Sequence, residues 1–282
     1  MYKLPKITDS NNELVKAGVA YYYFDPSVQT GRLSTVGIDS PKQAVAKTLN
    51  QIYSNHKSKN VAYLMYSDQW PNTKDSKGNR GHTKVTALKY NCPAIYDSNV
   101  PSVINKVVKG LGDVANGKCQ TSREDTHYHA DIKTVDGVTL DIFAKSAKFN
   151  EDIYSKFLAP HYKTDIYVQT WQQGNRENNY DPFCEDYRVE TITSLIFPDD
   201  VEFLALNDHS KWAIPTTDSE SRICIGDINR QLSQKKRGGG MVCAKLPKVR
   251  NTYESFINEI DACDDEHDEL CYDIYGDLTE RS

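Results

Sequence analysis

Two His-x-Lys triplets, His82-Thr83-Lys84 and His209-Ser210-Lys211, carry the side chains best suited to chemistry in this chain, and a third lies at His161-Tyr162-Lys163. On a strand, residues i and i+2 project from the same face. Such a triplet therefore aims an imidazole and an ammonium at one point. Two of them brought together would supply two imidazoles and two cations, a set that can cleave a phosphodiester without metal. One neutral imidazole attacks phosphorus while the other, protonated, gives a proton to the leaving oxygen. The two lysines hold the nonbridging oxygens as charge builds in the transition state. An isolated triplet is more often a surface histidine beside a solvated lysine, so its flanks must decide.

The chain has 282 residues, enough for one large domain or two small ones. Its hydrophobic fraction is 38%, a lean core that 18 Tyr help to fill, each burying a ring while keeping a polar tip. No apolar run approaches the roughly 18 residues of a membrane span, and Met1–Lys16 has no apolar stretch of the signal-peptide kind. The net charge of −5 argues against a general nucleic-acid binder at neutral pH. Protonating all seven His turns that charge to +2, so an acid-active protein with an anionic partner stays open. Seven Cys without a CxxC exclude a zinc ribbon or a thioredoxin-type site and favour disulfides in an oxidising compartment.

Hydrophobic patterning gives mixed α and β elements. Strands are expected at 2–4, 19–24, 61–66, 84–90, 137–143, 165–171, 190–197, 201–206 and 222–228, with 61–66 buried. Ser40-Pro41 reads as the opening of a helix with Val45, Leu49, Ile52 and Tyr53 as its stripe. A second helix carries Val103, Ile104, Val107, Val108 and Leu111 on one face. Asn150 is expected to cap a third. Pro247 opens the last, with Val249, Tyr253, Phe256, Ile257 and Ile260 on one face. Residues 67–83 read as a loop, and the acidic tail is expected to fray beyond Cys263.

The first triplet sits in Arg80-Gly81-His82-Thr83-Lys84 and the second in Asp208-His209-Ser210-Lys211-Trp212. Downstream come Cys224-Ile225-Gly226-Asp227-Ile228-Asn229-Arg230 and Arg237-Gly238-Gly239-Gly240. Together with Tyr2-Lys3-Leu4-Pro5, Tyr22-Tyr23-Phe24-Asp25, Tyr66-Ser67-Asp68-Gln69-Trp70-Pro71 and Phe143-Ala144-Lys145, these stretches closely resemble the deoxyribonuclease II family, the plancitoxin-like members included. The resemblance spreads over most of the chain. It implies an α+β, phospholipase-D-like pseudo-twofold mixed β-sandwich flanked by helices, each half contributing one His-x-Lys. Residues 1–262 would form one such domain, with a first half at about 1–110, a second at about 130–262, and 263–282 as an acidic tail. The implied activity is endonucleolytic hydrolysis of DNA without metal or other cofactor, at acid pH, leaving 3′-phosphates. The implied catalytic residues are His82, Lys84, His209 and Lys211; Asn229 and Arg237 would bind substrate. The implied disulfides are Cys184–Cys263 and Cys224–Cys243, which leaves Cys92, Cys119 and Cys271 unassigned. His161 has no counterpart in the family pattern. DNA is the expected partner, with no membrane; a homodimer stays open, and the implied location is lysosomal or secreted.

The chain departs from the pattern twice. The family's secretion signal, first Cys and start of the first strand are absent before Tyr2, and after Lys84 the sequence runs almost directly to Pro93-Ala94-Ile95-Tyr96, where family members carry several dozen residues. The first half is thus expected to be incomplete and activity weak or lost. An alternative reading follows, a catalytically weak or dead secreted member that binds DNA or a host protein. A third, a metal site at His127, His129 and Asp131, needs these alternating residues on a strand, whereas the local polarity beside Glu124-Asp125-Thr126 reads as an exposed loop. Lys235-Lys236-Arg237 and the three glycines after them read either as a cradle for a backbone phosphate or as a solvated hairpin tip.

Overall fold

The computed structural model describes residues 1–25, 28–67, 88–108, 110–134, 136–172, 176–198 and 201–263. The first triplet, with His82 and Lys84, lies outside them, as do most of the loop expected at 67–83, the first residues of the strand expected at 84–90, and Cys271. The strands are β1 (Tyr2–Lys3), β2 (Tyr21–Asp25), β3 (Val28–Leu33), β4 (Tyr63–Ser67), β5 (Ala94–Asn99), β6 (His127–Lys133) and β7 (Thr139–Lys145). They continue with β8 (Ile166–Gln169), β9 (Val189–Phe197), β10 (Val201–Leu204), β11 (Trp212–Pro215), β12 (Arg222–Gly226), β13 (Gly239–Lys245) and β14 (Ile257–Asp261). The helices are short: α1 (Glu13–Ala17), α2 (Ala44–Asn55), α3 (Leu88–Asn91), α4 (Ser102–Val107), α5 (Leu111–Ala115), α6 (Ala159–Tyr162) and α7 (Pro247–Glu254). The class is α+β, built on one large mixed sheet.

That sheet has nine strands in the order β10-β9-β8-β11-β12-β13-β7-β6, with β14 pairing β9 off this path. The β8–β9 pair is parallel and its other pairs are antiparallel. β9 reads Val-Glu-Thr-Ile-Thr-Ser-Leu-Ile-Phe, a β-branched run that suits a strand packed on both faces. One face buries Ile192, Trp212, Ile214 and Ile223 against Tyr2, Tyr22, Tyr253 and Phe256, that is, against the small β1-β2-β3 sheet and α7. The other face buries Phe143, Val168, Ala213, Cys224 and Cys243 against Ile153, Tyr154 and Leu158. Among the described residues there are three disulfides: Cys184–Cys263, Cys224–Cys243 and Cys92–Cys119.

Several elements differ from the sequence reading. The helix after Ser40-Pro41 starts at Ala44, where the Gln43 side chain accepts from Val45 N; none of its residues is buried. Among the described residues β4 pairs only with β5, in a two-stranded sheet, and Tyr63–Tyr66 are half-buried rather than enclosed. Leu88–Asn91 is a helical turn, not the end of a strand. The expected helix at 103–111 breaks into α4 and α5 at Gly110, whose φ of 85° no helix interior accepts. Asn150 has a φ of 54° and caps nothing; Asp152 takes that role, accepting from the backbone N–H groups of Tyr154 and Ser155, and a π-helical turn over Tyr154–Leu158 leads into α6. The last helix stops at Glu254, and Ile257–Asp261 is an edge strand on β9. His127–Lys133, read as a loop, is the strand β6.

The three glycines at 238–240 have a packing role. A Cβ on Gly240 would stand 2.1 Å from the Phe143 carbonyl oxygen, and one on Gly238 would stand 2.6 Å from the Tyr90 carbonyl. Backbone approaches of this kind admit glycine alone. They seat the β12–β13 hairpin against β7 and α3. The buried Lys145 secures the same hairpin, its Nζ donating to the carbonyls of Gln234, Lys235 and Arg237 at 3.0, 2.9 and 2.6 Å. Burial pushes the Lys145 ammonium down to about 8, with Asp152 and Asp227 acting against that fall.

Candidate active site around His209

The second triplet lies just outside the sheet. β11 begins at Trp212, opposite Gln169 on β8 and Ile225 on β12. Lys211 still accepts from Gly226 N through its carbonyl at 2.9 Å, so the lead-in to β11 stays extended on the β12 side. Ser210 leaves the ladder because its N–H donates to the Asp208 carboxylate at 3.0 Å, a local bond that competes with strand pairing. The triplet is therefore a lead-in rather than a strand segment, which corrects the geometry expected from sequence.

Asp208 is buried and takes three side-chain donors on its second oxygen: Tyr2 Oη at 2.5 Å, Ser210 Oγ at 2.5 Å and Gln169 Nε2 at 3.3 Å. Tyr2 Oη accepts in turn from Trp212 Nε1 at 3.4 Å. Burial, then the Asp208 charge, push the Tyr2 phenol well above its ordinary range, so it remains a donor. A buried carboxylate needs such partners. With them it locks the backbone on both sides of His209.

His209 itself is exposed, its ring stacked on Trp171 with centroids 4.7 Å apart and planes 17° apart. Trp171 is held by its indole N–H donating to the Leu206 carbonyl at 2.9 Å. Lys211 Nζ donates to the His209 carbonyl at 2.6 Å, which keeps the ammonium beside the imidazole. Desolvation and Lys211, with a smaller push from Lys3, hold His209 below the ordinary histidine pKa against the pull of Asp208. This imidazole stays neutral further into acid than a free one.

His209 and Lys211 open onto a groove of about 970 Å³. Its apolar lining includes Ile225, Val242 and Ala244, while Met1–Pro5 and Asp227 also border it. Asp227 Oδ1 accepts from Gly240 N at 2.7 Å. Asn229, two residues further on, is buried, and its Oδ1 has no hydrogen-bond partner among the described residues. An unsatisfied buried amide oxygen is uncommon and marks a position worth testing for ligand contact. Arg237 lies in the β12–β13 hairpin, its carbonyl bound to Lys145. His161 belongs elsewhere, on α6, with its ring 4.2 Å from that of His129. Asp208 and Trp171 were not singled out from sequence. Asp208 directly precedes His209, but its partner Tyr2 is 206 positions away and no local pattern links them.

The groove, the buried carboxylate and the His-Ser-Lys segment coincide with a family match. The sequence model of the Deoxyribonuclease II family matches residues 1–88 and 85–263. The chain therefore belongs to the deoxyribonuclease II family of hydrolases. Among its relatives are plancitoxin-1 of Acanthaster planci, 29% identical over 319 residues with 93% of this chain and 88% of the relative covered, and cell-death-related nuclease 7 of Caenorhabditis elegans, 27% identical over 316 residues with 93% and 84% covered. Deoxyribonuclease-2-beta of Rattus norvegicus is 26% identical over 319 residues, with 93% and 88% covered. These alignments are longer than the 282-residue chain, and the family match comes in two pieces that meet at residues 85–88, where the shortened block falls.

Two outcomes test this geometry. Tyr2→Phe removes a donor from a buried carboxylate and should lower unfolding free energy by about 1–3 kcal/mol in urea titration; a change under about 0.5 kcal/mol would deny the tie. Lys211→Met removes a cation that depresses His209, so the His209 titration followed by NMR should move to higher pH; an unmoved curve would show that the ammonium does not act on the ring.

Proposed function

We propose that this chain is an endodeoxyribonuclease that cuts DNA phosphodiesters at acid pH without metal and leaves 3′-phosphates. His209, neutral, attacks phosphorus. The leaving 5′-oxygen takes a proton from the imidazolium of His82. Water then releases the 3′-phosphate from His209, with His82 as base. Lys84 and Lys211 hold the nonbridging oxygens, and Asn229 and Arg237 contact the DNA backbone. The depressed pKa of His209 suits this division of roles, since mild acid protonates an ordinary imidazole first.

One observation carries the reading. The described residues that follow 68–87 are tied to the hairpin that borders the groove. Tyr90 packs on Ile142 and Ala144, and Tyr90 and Asn91 stand against Gly238. Asp227 borders the groove together with His209 and Lys211. His82 is six residues from Leu88, so the chain allows at most about 20 Å between their Cα atoms. The reading requires that reach to bring the first triplet to the second, in a pseudo-twofold arrangement of the phospholipase-D kind. Three disulfides fit an oxidising location, lysosomal or secreted.

The shortened first half favours a second reading, a member that holds DNA or a host protein without cutting. One experiment separates the two. Under the first, the purified chain digests plasmid near pH 5, and His209→Ala cuts at least about 100-fold more slowly while DNA retention on a filter is kept. An inert wild-type chain that still retains DNA would support the second.

Below neutrality the first reading gives a bell-shaped kcat/KM profile. The acid limb marks protonation of His209 and should lie below the ordinary histidine pKa, while the other limb marks loss of the second imidazole's proton. An activity that keeps rising through neutral pH would contradict these roles.

A further inference from the structure

β6 and β7 place a second set of ligand-type side chains on the sheet face opposite Leu140 and the groove it lines. Their register sets Asp131 directly opposite Asp141 and His129 opposite Phe143, so His129, Asp131 and Asp141 share one sheet face. Like charges directly opposite in an antiparallel pair repel. Arg222 meets part of that cost with an ion pair to Asp141 Oδ2, the same oxygen that accepts from Tyr162 Oη at 2.6 Å. Asp131 is left mostly exposed, with His129 Nε2 3.3 Å from its Oδ1. That nitrogen is sealed from solvent and makes no hydrogen bond of good geometry among the described residues. The ligand atoms of His129, Asp131 and Asp141 all lie within 4.8 Å of one another. The His161 ring closes the same corner from α6, 4.2 Å from His129.

We propose that His129, Asp131 and Asp141 bind one zinc ion, with solvent as the fourth ligand. A mixed nitrogen and carboxylate set with tetrahedral reach suits this metal. Tetrahedral zinc holds its ligand atoms roughly 3.4 Å apart, which a rotation of the exposed Asp131 side chain supplies. Arg222 and Tyr162 fix the Asp141 carboxylate, the outer-shell support that metal ligands require. The carboxylates of Asp131 and Asp141 oppose the charge of the ion, while Arg222 also pairs with Glu220 at 3.0 Å. The ion would clip the sheet's outer strand β6 to β7. It has no part in cleavage, since β6 lies four strand spacings from β11, about 19 Å.

Equilibrium dialysis of the full chain against zinc chloride at pH 7.5 tests this. The expected result is one zinc per chain, with affinity at least tenfold weaker in Asp131→Asn and in His129→Gln. His127→Gln, whose native ring packs on Phe149 and Phe157, should bind as wild type does. Zinc should raise the melting temperature of the wild type and leave that of Asp131→Asn unmoved. Asp131 is exposed, so this variant keeps its fold. Absence of stoichiometric uptake by the wild type overturns the proposal, and so does uptake that Asp131→Asn leaves unchanged or that only His209→Ala abolishes.

Discussion

A carboxylate buried beneath the groove governs the arrangement around it. Asp208 gathers Tyr2, Ser210 and Gln169, and each comes from a different part of the chain: the first strand, the His-Ser-Lys segment and the centre of the nine-stranded sheet. Ionised and away from solvent, it is stable only while those donors stay. The cost of losing them is what holds His209 against Trp171 and Lys211 beside His209. The site is thus preorganised by a buried carboxylate.

The hairpin between β12 and β13 supplies the second constraint. Its glycines let the backbone approach β7 and α3 more closely than any side chain would allow, and Lys145 binds its turn from below. An ammonium enclosed by three carbonyls keeps its partners satisfied at the expense of its own basicity. The glycine run that could read as a phosphate cradle is in this structure a packing device. Its position still matters for function, because Asp227 at its base borders the groove.

What was legible in the sequence was chemistry carried by short, unusual strings. His209-Ser210-Lys211 with its flanks, and Cys224 through Arg230, are dense enough to point to a family. Elements with strong local signals, such as the β-branched run at 189–197 and Pro247 at a helix start, also read correctly. Elements set by distant partners did not. Nothing near Leu88 announces a helical turn, because its shape comes from packing on Ile142 and Ala144. β6 looked like a loop since its residues alternate weakly and its outer edge is wet; pairing with β7 along seven residues makes it a strand. Tyr2 could be noticed as part of a motif, but its bond to Asp208 closes a separation of 206 residues that no periodicity encodes.

The central claim is that two imidazoles act as one unit on a single diester. A double-mutant cycle on kcat/KM, with His82→Ala, His209→Ala and the pair, tests it most directly. Groups that work in the same step give non-additive losses, so the double variant should be no slower than the slower single one, within about threefold. Losses that multiply, or a His82→Ala chain that cuts at the wild-type rate, would contradict the account.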